Sequence, residues 1–201
     1  ILGMDYLGGS GASSGPAAGQ GFPNISSYDQ AEAALKVLDH LGIERAHIVG
    51  ASMGGGISQI LAVKYPERTR SITLACTAGT NHPWREELLR DWRDNAIAGG
   101  MGMMSREAVR WVMGPRSFRR LLPAMGWLGP LALGRPSHAF AGQVNAILDA
   151  DFTMVDELAR IEVPVMVLAG NQDILTPRGD SEELAERIFP SISTQRVLFI
   201  G

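Results

Sequence analysis

Five residues constrain this chain more than any others: Gly50-Ala51-Ser52-Met53-Gly54. They sit between the short apolar run Ala46–Val49, which reads as a buried strand, and the stretch from Ser52 to Tyr65, which reads as a helix closed by Pro66. A G-x-S-x-G turn in a strand–turn–helix setting must reverse the chain sharply, which forces the serine into a strained conformation. Glycines two before and two after the serine leave no side chain to clash in that turn. The serine oxygen is then lifted clear of the sheet at a helix N-terminus, where the dipole favours developing negative charge. Ser52 is therefore the candidate nucleophile, and the Met53 N–H a candidate oxyanion-hole donor. Two plainer readings compete. One is a Gly-rich turn that only packs tightly. The other is a dinucleotide-binding turn, because Gly50, Ser52 and Gly55 approximate G-x-G-x-x-G. Against the latter, the middle position is Ser, and the next strand ends in Ala75-Cys76-Thr77 with no acid for a ribose.

Around this turn the chain alternates. Residues 7–24 are rich in Gly, Ala and Ser and read as a loop. Ser27-Tyr28-Asp29-Gln30 reads as a capping box that opens a helix with Ala31, Leu35, Leu38 and Leu41 on one face and Gly42 at its stop. Ser71–Ala75, Val163–Ala169 and Arg196–Ile200 read as strands, and Ser181–Phe189 as a helix. Between Thr80 and about Phe152 there is no strand signal. Helical stretches at Trp84–Ala98, Arg106–Met113 and His138–Ala150 are broken by Gly-Gly, Gly-Pro and Arg-Pro. All four tryptophans and most of the methionines fall in this block. Strand–helix alternation implies a mostly parallel sheet, with residues 80–152 as an all-helical insertion and residues 1–79 and 153–201 as the core.

Composition narrows the function classes. The chain has 201 residues, 45% of them hydrophobic, and a formal net charge of -3, so it carries no electrostatic footprint for nucleic acid or an anionic membrane. No run approaches the ~18 apolar residues of a membrane span. One cysteine, Cys76, excludes an internal disulfide and fits a cytoplasmic setting. The chain opens at Ile1 on what reads as the tail of a strand and stops at Gly201 straight after an apolar run. Both ends read as cut through structure, with a processed terminus as the alternative.

A second chemical signal is Leu168-Ala169-Gly170-Asn171-Gln172-Asp173, followed by Thr176-Pro177. An acid just after a buried parallel strand shares a sheet edge with the Ser52 turn. Asp173 is thus the candidate acid that orients a histidine and stabilises its imidazolium. The plainer reading is that Asp173 caps its own loop. No alternative acid stands in residues 76–81. The chain order of such a triad is Ser, Asp, His, yet His40, His47, His82 and His138 all precede Asp173. His40 and His47 read as structural or solvent-facing. His82 and His138 lie at the edges of the insertion. The expectation is a histidine beyond Gly201, and an isolated 1–201 fragment that is inactive.

Asp5-Tyr6-Leu7-Gly8-Gly9-Ser10-Gly11-Ala12-Ser13 resembles the D-x-x-G-x-G-x-S loop after the fourth strand of α/β-hydrolases. Leu38–Ile43 and Tyr65-Pro66-Glu67-Arg68 match the same superfamily. Within it, Gly99-Gly100-Met101, Ile147–Asp151 and Ile161–Asp173 are similar to 3-oxoadipate enol-lactonases and related small esterases. The resemblance implies an α/β-hydrolase sheet with a helical cap. It also implies a serine hydrolase of carboxylic esters or lactones that needs no metal or organic cofactor. Trp84 and Trp111 are the favoured substrate contacts in the cap, against the plainer reading that its Trp and Met residues are the cap's own core. Arg116, Arg119 and Arg120 either meet a substrate carboxylate or form a solvated face. C–C hydrolases and perhydrolases share the fold, and Ser52 in place of Asp argues against dehalogenases. The reading of a different class is a catalytically inactive ligand-binding domain. Neither the natural substrate nor the oligomeric state is legible in the sequence.

Overall fold

A computed structural model describes residues 25–112, 114, 137–149, 152–190 and 197–200. The loop at residues 5–13, Trp127 and the three arginines at 116, 119 and 120 lie outside the described residues. The chain divides into two compact units. One holds residues 26–81 and 150–201; the other includes residues 82–149.

The first unit is a sheet with helices against it. Helix α1 (Ser27–His40) leads to strand β1 (Ala46–Ala51), helix α2 (Met53–Lys64), a 3₁₀ turn (Pro66–Arg68) and strand β2 (Thr69–Ala75). A 3₁₀ helix (Phe152–Arg160) precedes strand β3 (Val165–Gly170), and strand β4 (Val197–Ile200) closes the sheet. All pairings are parallel, in the order β1-β2-β3-β4. Ala51 stands opposite Ala75, and Ala75 opposite Leu168, so these three strands end at one edge.

The apolar pattern accounts for the packing. Residues Ser58 to Ala62 of α2 are all buried. Ile60 and Leu61 meet Ala31 and Leu35 of α1, while Ala62 joins the cluster of Ile72, Leu74, Val165 and Val167. Leu158 of the 3₁₀ helix and Ile161 just after it enter the same cluster. This 3₁₀ helix has no counterpart among the elements expected from sequence. Two burial expectations are corrected. Val49 is 75% exposed, β1 being the end strand of the described sheet rather than a covered one, while His47 is exposed in agreement with its solvent-facing reading. Leu41 is 51% exposed, since it is the C-cap residue and not part of the α1 face.

Local signals fix the ends of α1. The capping box is Ser26/Asp29, one residue earlier than the Ser27/Gln30 reading. Ser26 Oγ accepts the Asp29 N–H at 3.1 Å, and Asp29 Oδ2 accepts the Ser26 N–H at 2.8 Å. Gln30 is instead buried. At the other end Gly42 adopts φ 66°, Gly42 N–H bonds Asp39 O at 3.0 Å, and Ile43 N–H bonds Leu38 O at 2.8 Å. That is a Schellman closure, which needs a residue able to take a left-handed conformation.

The other unit contains helices α3 (Pro83–Gly99), α4 (Met101–Val112) and α5 (Ser137–Leu148). Leu89, Trp92 and Ala96 of α3 are buried with Met104 and Ala108 of α4 and with Ala139, Ala141, Val144 and Ala146 of α5. Arg93 donates to Asn145 Oδ1 at 3.1 Å, tying α3 to α5. Helix α6 (Arg178–Ile188) returns to the first unit, where Leu184, Ala185 and Ile188 cover β3.

The cap of α1 is testable. Ser26→Ala is expected to lower stability by ~1 kcal/mol in urea unfolding, and Ser27→Ala by only a few tenths. The Asp29 carboxyl lies below its ordinary range, chiefly through the Ser26 hydroxyl and then the Ser26 N–H. The cap contribution is therefore present above the usual carboxylate range and is lost as pH falls through the lowered value. The difference between wild type and Ser26→Ala should shrink as the medium is acidified.

Candidate active site

Ser52 lies between the last residue of β1 and the first of α2, leaving one residue in which to reverse the chain. It does so with φ 52° and ψ −120°, in a region that L side chains rarely adopt. Its side chain is exposed and makes no capping bond to the helix. Strain of this kind costs about 1–3 kcal/mol and persists only where the surroundings impose it. Here they do. Ser52 N–H bonds Ala75 O at 2.9 Å, and Ser52 O accepts the Gly55 N–H and the Thr77 Oγ1–H, each at 2.8 Å.

The glycines play unequal parts. A Cβ on Gly50 would collide with the Gly54 carbonyl and Ser58 Oγ. A Cβ on Gly55 would lie 2.5 Å from the Thr77 Cβ. One on Gly54 meets nothing within 4 Å. The expectation that Gly54 avoids a clash in the turn is therefore corrected, while that for Gly50 holds: the crowded positions are Gly50 and Gly55, the latter because buried Thr77 packs against it. Ser58 Oγ donates to Gly54 O at 2.8 Å within α2, and Gln59 Nε2 donates to Ala78 O at 3.2 Å, fastening α2 to the loop after β2.

Asp173 stands in the loop after β3, at the same sheet edge and half-buried. Its Oδ1 accepts the N–H groups of Leu175 (3.0 Å) and Thr176 (2.9 Å), and its Oδ2 accepts the Thr176 hydroxyl at 2.9 Å. The carboxylate thus does hold its own loop, and that hold fixes its orientation. Between Ser52 and Asp173 lies Cys76, a second non-glycine residue at positive φ (48°). The residue is exposed overall, but its thiol is partly shielded from water. That desolvation, followed by the charge and hydrogen bond of the Asp173 carboxylate, pushes the thiol up from its ordinary value. Of the histidines, His40 closes α1 and His47 places Nδ1 2.7 Å from Ser71 Oγ. His82 precedes α3 and His138 lies in α5, both in the helical unit. There Trp84 and Trp111 stack with centroids 6.2 Å apart, and the Arg85 guanidinium lies 5.1 Å from the Trp84 ring centre. Trp92 is core, as its burial shows.

A strained serine at a strand–helix reversal on a parallel sheet defines a class. The chain has the α/β-hydrolase fold, and the model for the alpha/beta hydrolase fold matches residues 1–98. A 3-oxoadipate enol-lactonase 2 of Acinetobacter baylyi is 32% identical over 170 residues, covering 78% of this chain and 57% of its own length. A homoserine O-acetyltransferase of Thermus thermophilus is 29% identical over 166 residues, covering 73% of this chain and 44% of its own. Among solved structures, a hydrolase from Pseudomonas aeruginosa superposes with a TM-score of 0.79 at 28% identity, over 98% of this chain and 69% of that one. The chain spans about half the length of the curated relatives it matches.

Two outcomes follow from this geometry. Gly55→Ala should cost ~1–3 kcal/mol in urea unfolding through overpacking against Thr77, whereas Gly54→Ala should be neutral or stabilise α2. Cys76, held as the thiol, should be alkylated by iodoacetamide at pH 8 more slowly than a free cysteine. Asp173→Asn removes a charge that opposes the thiolate and should speed the reaction roughly severalfold.

Proposed function

We propose that the full-length protein hydrolyses carboxylic esters or lactones, with Ser52 as nucleophile and Asp173 as the acid of a Ser-Asp-His triad. The observation that carries this reading is the Ser52 backbone: a non-glycine residue at φ 52°, exposed, at the N-terminus of α2. The order β1-β2-β3 sets the backbones of the Ser52 and Asp173 turns two strand spacings apart, about 10 Å. An imidazole with a hydrogen bond on each side fits such a gap, whereas direct contact does not. We assign that imidazole to a histidine carried outside these 201 residues.

In the reaction the histidine takes the Ser52 proton while Oγ attacks the acyl carbon. Asp173 accepts the histidine's other N–H and stabilises the imidazolium. The Met53 N–H, free of any intrahelical acceptor at the start of α2, holds the carbonyl oxygen as it gains charge. The protonated histidine donates to the departing oxygen, and water then attacks the acyl-serine by the same route. Trp84 and Trp111 are the aromatic pair we assign to the apolar part of the substrate. The likeness to an O-acetyltransferase supports a second outcome for the same acyl-serine, its capture by an alcohol instead of water.

With p-nitrophenyl esters, Ser52→Ala is expected to lose on the order of 10⁶-fold in kcat, and Asp173→Asn roughly 10⁴-fold. Turnover by Ser52→Ala within tenfold of wild type, or no turnover by wild type of any ester or lactone offered, defeats the proposal. Adding alcohol acceptors separates the two fates of the acyl group, by whether product ester or free acid accumulates.

A further inference from the structure

The Ser52 carbonyl and the Met53 N–H belong to one peptide unit. Because that unit is planar and trans, its C=O and N–H point in opposite directions. Whatever holds the Ser52 oxygen therefore aims the Met53 N–H. Two groups hold it: the Gly55 N–H at 2.8 Å, a bond within the first turn of α2, and the Thr77 hydroxyl at 2.8 Å, which reaches that oxygen from outside the helix.

We propose that Thr77 is a positioning residue for the oxyanion donor: its hydroxyl fixes the Ser52–Met53 peptide so that the Met53 N–H faces the reacting carbonyl. This rests on the assignment of Ser52 as nucleophile and extends it to a residue that does not touch substrate. Thr77 is well placed to act in this way. It is 4% exposed, so its bond to Ser52 does not compete with bulk water. Its side chain is wedged against Gly55, where a Cβ would lie 2.5 Å from both the Thr77 Cβ and Cγ2, so its rotamer has little freedom. Its backbone is anchored at the end of β2, where Cys76 N–H bonds Leu168 O at 2.9 Å. A hydrogen bond on the carbonyl also polarises the peptide and makes its N–H a better donor.

The test uses the full-length protein with Thr77→Val, which keeps the shape and loses the hydroxyl, and Thr77→Ser, which keeps the hydroxyl. Losing an oxyanion donor outright costs ~10²–10³-fold in kcat. A misaimed donor should cost part of that, so Thr77→Val is expected to lose roughly tenfold to a hundredfold in kcat, with KM within about twofold. The inhibition constant of a trifluoromethyl ketone, whose adduct carries the oxyanion, should rise by the same factor. Thr77→Ser should recover most of both. If Thr77→Val does not give a native melt, Thr77→Ala removes the same hydroxyl with less bulk and is read in the same way. The inference is overturned by wild-type kcat in the hydroxyl-less variant, by a fall in kcat with no change in ketone affinity, or by Thr77→Ser as impaired as Thr77→Val. Ser52→Ala serves as the control. If it stays active, the nucleophile assignment itself is wrong. If it is inactive while Thr77→Val is not, only the role of Thr77 falls.

Discussion

Much of the described core unit follows from the single residue allowed for the passage from β1 to α2. Ala51 is still paired to Ala75 and Met53 is already helical, so Ser52 must turn the chain alone, and only positive φ does so. A strained residue relaxes unless its neighbours prevent it. The neighbours here come from three places: the absent side chain of Gly50, the carbonyl of Ala75 and the hydroxyl of Thr77. Behind them α2 is buried over five successive residues, 58–62, so its start cannot shift without disturbing both the α1 contact and the sheet cluster. The packing of the helix thus stabilises a turn that its own backbone preference opposes.

What could be read from the sequence was whatever is encoded by near neighbours in the chain. The Ser52 turn and the acid-bearing loop after β3 are contiguous motifs, and both stand where strand and helix signals put them. The misreadings have different causes. Residues 26–30, Ser-Ser-Tyr-Asp-Gln, offer two overlapping capping boxes; the box with Asp29 forms, since a carboxylate gains from the helix dipole and accepts stronger hydrogen bonds than an amide. The spacing of G-x-S-x-G draws attention to Gly54, but the crowding falls on Gly55, because Thr77 arrives from the next strand. Val49 reads as buried because parallel strands are usually covered on both faces. Its exposure comes from its place in the strand order, which no local pattern carries.

Sheet order also bears on what the end of β2 can carry. β2 lies between the strands that carry the Ser52 and Asp173 turns, and Cys76 at its end interacts with Asp173. A carboxylate at Cys76 would stand beside Asp173 and raise the energy of two neighbouring negative charges. A thiol, which remains neutral in that position, occupies the site without this repulsion. The upward shift of Cys76 expresses the same constraint from the other side: burial and the Asp173 charge both favour the uncharged form.

The two strained residues of the edge are also related to one another. Ser52 follows β1 and bonds the last residue of β2, Ala75; Cys76 follows β2 and bonds Leu168 of β3. In each case the ladder runs one residue past the strand, and the chain then turns away at positive φ. Asp173 is held in turn through its N–H to Gly170 O at 3.2 Å, at the end of β3. The Ser52 turn is therefore referenced to β2, β2 to β3, and the Asp173 turn to β3. Side chains far apart in sequence keep a fixed separation because the Ser52 and Cys76 turns are each tied to the neighbouring strand, while Asp173 is tied to the end of its own. A parallel sheet supplies this kind of stepwise reference, since every strand end falls on the same edge. The registers Ala51 to Ala75 and Ala75 to Leu168 thus set the spacing between Ser52 and Asp173.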